Sequence, residues 1–252
     1  MVTAGERASW NEQGYFVRRG FVDGSVTAPM LDEVVATCRR AAAGESIEPA
    51  FVLPEPGIDI EGAQPEDLVS KVFRLHRQGV FAEFIRRPDV LDLLAELLGD
   101  DVDAFLSQFI FKVPGAFGQP WHQDSFYFPF TPDHQVGLWL AVTEATLENG
   151  CLWVVPGTHA DPVHEHVFET RRDSLYKYME IVDRDTSTEV PVTMAEGDLL
   201  VFDSHLMHRS TDNVSDGIRG AMVYHFSPAG TEDDTPPHRC INDWLPVRRG
   251  SR

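Results

Sequence analysis

The apolar residues change rhythm once along this chain, near residue 100. Before that point they recur at helical spacing. Met30, Leu31, Val34, Val35 and Cys38 predict an amphipathic helix over residues 26–43. Val90, Leu91, Leu94, Leu97 and Leu98 predict another, opened by Pro88 in its first turn and closed by Gly99. Ser9, with Glu12 three residues on, reads as a capping box for a short opening helix, and residues 15–22 then turn bulky and β-rich. Between residues 45 and 65, Pro49, Pro54, Pro56 and Pro65 break every period, so a loop or mobile flap is expected.

Beyond Asp103 short β-type runs alternate with turns. Strands are expected at 104–113, 136–142, 151–155, 190–194, 197–202 and 220–226, with turns such as Glu148-Asn149-Gly150 and Glu196-Gly197-Asp198 between them. Few helices intervene, which points to a sandwich or barrel and away from a βαβ sheet. Residues 164–185 depart from the pattern: they are charged and helix-tolerant, with Tyr176, Met179 and Val182 at i, i+3, i+6, and read as an excursion over one mouth of the β core. The expected organisation is one domain over residues 1–252, mainly β with flanking helices: a helical wrap with the first strands (1–103), a β core (104–228) and a tail (229–252).

Charge narrows the partners. Forty acidic residues against twenty-one Lys plus Arg give −19, which disfavours nucleic-acid phosphates and anionic membranes. Cys38, Cys151 and Cys240 are too scattered for a disulfide framework or zinc cluster, and no run approaches the roughly 18 apolar residues of a membrane span. A reducing cytoplasmic location is expected.

Ten histidines carry the chemical information. In Gln119-Pro120-Trp121-His122-Gln123-Asp124, the His and Asp are two apart, so on extended chain both project from one face and can reach one metal ion. His208, just past the apolar strand ending at Phe202, is the candidate third ligand. Two His and a carboxylate form the facial triad of non-haem Fe(II) oxygenases, which leaves three positions open. Competing pairs exist. His159-Ala160-Asp161 has the same spacing, His205 lies three residues before His208, and His164-Glu165-His166 reads as a solvated surface cluster. Arg219, eleven residues past His208, opens a strand; an Arg fork aimed inward suits a bidentate carboxylate co-substrate and balances the charge of Fe(II), one Asp and a dianion.

The run Trp121-His122-Gln123-Asp124-Ser125-Phe126-Tyr127-Phe128-Pro129-Phe130, the segment Asn149 to His159 with its Pro-Gly-Thr-His turn, and the Gly197-Asp198 turn leading to His208 and Arg219 together resemble the phytanoyl-CoA dioxygenase family. The tail Ile241-Asn242-Asp243-Trp244-Leu245-Pro246 is similar to the ending of its short "domain-containing" branch. The resemblance implies a double-stranded β-helix (jelly-roll, cupin-like) core wrapped by N-terminal helices, with Fe(II), 2-oxoglutarate as co-substrate, and O2. It implies that His122, Asp124 and His208 hold the iron and serve catalysis, that Arg219 and Ser210 take the distal 2-oxoglutarate carboxylate, and that Gln123, Trp139 and Lys71 lie at the co-substrate. Taken alone, Trp139 reads equally as core and Lys71 as solvent-facing. The resemblance removes His159 from contention, since its turn joins strands in the family.

A carboxylate at Asp124, where related halogenases have a small residue, argues for oxygenation. The expected reaction is hydroxylation of a small organic metabolite with release of succinate and CO2. Oxidative tailoring by desaturation, epoxidation or rearrangement is the alternative at the same iron. A cupin-like metal-binding or sensing protein is the alternative of another class, and would have no use for Arg219. No Lys/Arg cluster suits coenzyme A phosphates, so a CoA thioester is disfavoured. Gln108, Phe111 and Phe126 are the candidate substrate contacts. These residues indicate neither a particular substrate nor an oligomeric state.

Overall fold

The computed structural model describes residues 1–55, 61–171 and 178–250. The opening helix α1 (Ala4–Gln13) is capped by Thr3, not Ser9: Thr3 Oγ1 accepts from Glu6 N at 3.2 Å, and Glu6 accepts from Thr3 N at 2.7 Å. Two boxes of the same form stand six residues apart in the sequence. The earlier one starts the helix, which leaves Ser9 inside it, donating its hydroxyl to Tyr15 O. Helix α2 (Gly24–Ala42) begins at the Asp23 cap, a short α3 (Gly79–Ile85) follows, and α4 (Pro88–Leu98) ends at Gly99 as its sequence predicts.

The strands, in chain order, are β1 (Tyr15–Arg18), β2 (Phe51–Pro54), β3 (Val69–Phe73), β4 (Val102–Lys112), β5 (Phe130–Thr131), β6 (Val136–Ala141), β7 (Leu152–Val154), β8 (Val167–Phe168), β9 (Met179–Glu180), β10 (Val190–Val192), β11 (Leu199–Asp203), β12 (His208–Ser210), β13 (Arg219–Pro228), β14 (Glu232–Asp233) and β15 (Leu245–Arg248). The large sheet runs β1-β11-β6-β13-β4-β3-β2, with β15 also on β4, and the small sheet runs β10-β7-β12. This is the jelly-roll arrangement, mainly β with a minority of helices, and the sheets do not close into a barrel. Two expectations are corrected. The proline-rich stretch 45–65 is not all loop, because Phe51–Pro54 pairs with β3; residues 56–60 of that flap lie outside the described residues. The excursion 164–185 is not helical where described, since β8 and β9 pair as a small antiparallel ladder; Tyr176 lies outside the described residues.

The large sheet is buried on both faces, which explains why its strands read as near-continuous apolar runs. Met222, Tyr224 and Phe226 of β13, Leu138 and Leu140 of β6, and Phe109 and Phe111 of β4 meet the helices, where Phe84 stacks on Tyr224 at 5.3 Å. Their alternate neighbours Trp139, Ala141, Leu200, Phe202, Ala221 and Val223 face the small sheet. Period-two alternation thus makes one strand both core and chamber wall. The sandwich interior takes the odd-numbered residues of β13, beginning with Arg219.

The tail is pinned. Arg77 donates twice to Asp243 (2.7 and 2.8 Å), Arg74 Nε donates to Ile241 O at 2.9 Å, and Asp233 accepts from Asn242 and Trp244. Among the described residues, no helix is long and apolar enough to cross a membrane.

Gly118 tests the packing beside β12. A Cβ there would stand 1.9 Å from Ser210 O, a backbone atom with no freedom to turn aside. Gly118→Ala is therefore expected to destabilise the fold by about 1–3 kcal/mol, read as a lower denaturation midpoint in urea; unchanged stability would contradict this packing.

Candidate metal and co-substrate site

Two chain segments are stitched together at the centre of the site. His122 and His208 exchange both backbone hydrogen bonds, N–H to C=O, at 3.0 Å each way. This places the imidazoles side by side, ring centroids 4.1 Å apart. Gln123 is extended (φ −118°, ψ 136°), so Asp124 returns to the face of His122 before the chain coils into a short helical turn. Asp124 Oδ1 then lies 3.6 Å from His122 Nε2 and 3.8 Å from His208 Nε2.

The donor chemistry fits a divalent ion. Each imidazole donates Nδ1–H to a carbonyl, His122 to Pro120 O at 2.8 Å and His208 to Leu206 O at 2.9 Å, which leaves both Nε2 atoms as lone-pair donors to a metal; that of His122 accepts from Gln119 Nε2 at 2.9 Å. Burial, and then the neighbouring His208, hold His122 well below the ordinary imidazole range, so it is neutral and able to ligate. All three donor atoms lie within 4.8 Å of one another and all three residues are buried. From the opposite wall His225, on β13, brings Nδ1 to 3.7 Å from Asp124 Oδ2, while Gln108 lies 3.4 Å from its Nε2.

Beyond the triad lies an inner chamber bordered by Trp139, Ser210, Lys112 and Arg219. Arg219 is 1% exposed. Its Nη2 donates to Gly150 O at 3.1 Å, yet Nε and Nη1 find no hydrogen-bond partner among the described residues, and its guanidinium sits over the Trp139 ring at 5.4 Å. Burial pushes its pKa down to about 10, still charged at neutral pH. A buried cation with two unused donors is costly unless an anion meets it, and a planar carboxylate matches that fork. Ser210 Oγ already accepts from Lys112 Nζ (2.8 Å) and Gln119 N (3.0 Å), so its own proton remains to donate. These residues fit the distal carboxylate of 2-oxoglutarate.

The other sequence candidates divide. Lys71 is buried and borders the chamber, with Nζ donating to Gln119 Oε1 at 3.1 Å, so the solvent-facing reading is wrong. Gln123 does not reach the co-substrate position. The same alternation that unites His122 with Asp124 turns it away, and its amide ties His205 O (2.8 Å) and His164 N (2.8 Å) instead. Phe111 borders the inner chamber, but its ring packs on Phe109 under the helices. Gln108 lines the chamber, and Phe126 stacks on His166 at 4.0 Å. That last contact corrects the surface reading of residues 164–166: His164 and His166 are both buried, because the excursion folds back and His166 Nε2 accepts from Gln123 N. His205 stands apart, bonded to Asp133 at 2.7 Å, and His159 packs against Gly14.

Lys112 and His225 escaped the sequence reading, although a signal existed. Arg219, Ala221, Val223 and His225 share strand parity, and Lys112 is the register partner of Arg219.

An outer chamber of about 220 Å³ opens from the triad, sharing Lys71, Gln108, Gln119, Asp124 and Tyr178 with the inner one. Its remaining wall includes Leu106, Tyr127, Phe128 and, from the tail, Thr235, Arg239, Ile241 and Asn242.

The sequence profile described as "Phytanoyl-CoA dioxygenase (PhyH)" matches residues 10–221. The chain belongs to the phytanoyl-CoA dioxygenase family. Relatives include a probable phytanoyl-CoA dioxygenase of Caenorhabditis elegans, 34% identical over 64% of this chain and 55% of that protein. Another is phytanoyl-CoA dioxygenase domain-containing protein 1 of Bos taurus, 29% identical over 87% of this chain and 88% of that one. The chain thus spans about half of the worm relative and most of the bovine one. Similar folds include iron-bound EctD from S. alaskensis (TM-score 0.72, 20% identity, 99% of this chain and 88% of that one). EvdO2 from Micromonospora carbonacea var. aurantiaca complexed with 2-oxoglutarate is another (TM-score 0.66, 21% identity, 94% and 96%). Membership of the phytanoyl-CoA dioxygenase family, together with this donor set, places the chain among the non-haem Fe(II)- and 2-oxoglutarate-dependent dioxygenases.

Replacing Arg219 by Gln removes one side of a buried charge pair, a loss of about 2–5 kcal/mol. The 2-oxoglutarate Kd of this family member is expected to rise roughly thirtyfold or more by calorimetry; an unchanged Kd would take Arg219 out of the co-substrate site. Asp133 raises the His205 pKa to about 9 through their hydrogen bond, against the opposing effect of burial. In Asp133→Asn the NMR titration midpoint of His205 should therefore fall towards the ordinary value of about 6.5, and a midpoint still near 9 would reject that pairing as the cause.

Proposed function

We propose that this protein hydroxylates a C–H bond of a small organic metabolite at an iron held by His122, Asp124 and His208, consuming 2-oxoglutarate and O2 and releasing succinate and CO2. One observation carries the reading: a fully buried Arg219 presents two nitrogens, Nε and Nη1, with no hydrogen-bond partner among the described residues, in the chamber that also holds the His-Asp-His cluster. A purely structural or sensing metal site has no use for that cation, so the geometry favours turnover.

When bound, the iron and 2-oxoglutarate supply the oxidising power, splitting dioxygen between succinate and product. The protein's share is orientation and exclusion. Paired backbones and the two Nδ1–H to carbonyl bonds fix both imidazoles in one tautomer and one direction. Arg219 and the Ser210 hydroxyl take the far carboxylate and so set how the co-substrate lies against the triad. Trp139 beneath the guanidinium keeps water from it, and Lys112 holds the Ser210 oxygen so that its proton points away from both donors. The outer chamber, joined to the inner one at Asp124, places the substrate beside the iron. We further propose a substrate other than a CoA thioester, supported by the −19 charge and by a lining too poor in cations for several phosphates.

Fe(II) plus 2-oxoglutarate added without oxygen should give the weak visible band of chelated iron, and with oxygen succinate should be released in step with a consumed metabolite. Asp124→Ala and His122→Ala should each abolish release. Absence of the band in the wild-type protein would reject the co-substrate assignment, and His159→Ala silencing the enzyme while His122→Ala did not would reject the triad.

A further inference from the structure

We propose that the outer chamber is built for an organic carboxylate, with Arg239 of the C-terminal segment reading the charge while the apolar body lies towards the iron. This deepens, and rests on, the oxygenase reading above. Three observations combine. First, the chamber walls are largely apolar, with Leu53, Phe73, Leu106, Phe128 and Ile241 on them, and at about 220 Å³ the space is below the roughly 300 Å³ where drug-sized pockets begin. It suits a small, mostly hydrocarbon body.

Second, the charges lining it run against those of the whole chain. The protein carries −19, yet the described residues around this chamber contribute two cations, Lys71 and Arg239, and a single carboxylate, the proposed iron ligand Asp124. A lining with a net positive charge favours anionic ligands over neutral ones. Lys71 stands where the two chambers join and already donates to Gln119. Arg239 is farther out. Its guanidinium lies 6.0 Å over the Phe126 ring, and it makes no ion pair with any carboxylate among the described residues. Arg77 and Arg249, by contrast, close onto Asp243 and Asp103.

Third, the backbone that carries the exposed Arg239 side chain is held from both sides. Its backbone N–H donates to Pro236 O at 2.8 Å, upstream Asp233 accepts from Thr235 N at 3.0 Å and Asn242 Nδ2 at 2.9 Å, and downstream Asp243 receives the Arg77 fork. The segment is thus an anchored stretch of backbone that presents an exposed cation at the chamber mouth, so binding an anion there orders one side chain and not the whole segment.

The test compares octanoate with its neutral analogue octanamide, by calorimetry on the iron-loaded protein saturated with 2-oxoglutarate and kept free of oxygen, so that Arg219 is already occupied. Octanoate should bind at least tenfold more tightly than octanamide. Arg239→Gln should bring the two affinities together while leaving the 2-oxoglutarate Kd unchanged, and Arg239→Lys should keep part of the preference. Equal affinities in the wild-type protein, binding of neither probe, or a preference that survives Arg239→Gln would overturn the proposal. The oxygenase reading fails separately, by failure of 2-oxoglutarate itself to bind.

Discussion

Everything in the site depends on one pair of backbone hydrogen bonds, those exchanged by His122 and His208. They join a loop residue to the first residue of a three-residue strand, across 86 positions of chain, and the rest of the jelly-roll exists to make that encounter reproducible. The small sheet holds β12 in register against β7, with His208 opposite Val154, and Val154 is itself buried in the interior cluster. A slip of one residue would turn His208 out and Arg209 in. Metal affinity here is thus a property of strand register before it is a property of side chains.

The large sheet solves a second problem, that of placing charge in an apolar interior. Its two faces divide the labour by parity: Met222, Tyr224 and Phe226 supply burial beneath the helices, while Arg219 and His225 on the other face supply chemistry. A buried arginine with unused donors is tolerable because the strand carrying it is among the most buried in the molecule, with Tyr224 tied to Phe81 O on the far side. The stability of the helical wrap therefore supports a buried cation that would otherwise be costly to place in an apolar interior.

Much of this could be read in the residues alone, where physical periodicity spoke clearly. The i, i+3, i+4 stripes of α2 and α4, the Gly99 stop and the strand positions follow from spacing, and His122 with Asp124 follows from alternation. The failures have physical causes too. The resemblance puts Gln123 at the co-substrate, but alternation turns its side chain away from those of His122 and Asp124 and onto His205 O and His164 N. His164 and His166 look solvated in a charged stretch, and only the fold-back onto Phe126 and Gln123 buries them. The tail carried no period at all. Its partners Arg74 and Arg77 lie 167 and 166 residues upstream, a separation that no local pattern can register.

The wall contributed by residues 235–242 belongs to neither sheet and supplies none of the triad or of the inner chamber. Its anchors, Asp233 and Asp243, flank the residues that face the chamber. Such an arrangement separates what must stay constant from what can drift. Between the anchor points, Ile241 and Asn242 are tied to the core and to Asp233, whereas the exposed Arg239 can be exchanged with little cost to packing, so the outer wall can change its chemistry while the rest of the fold stays in place.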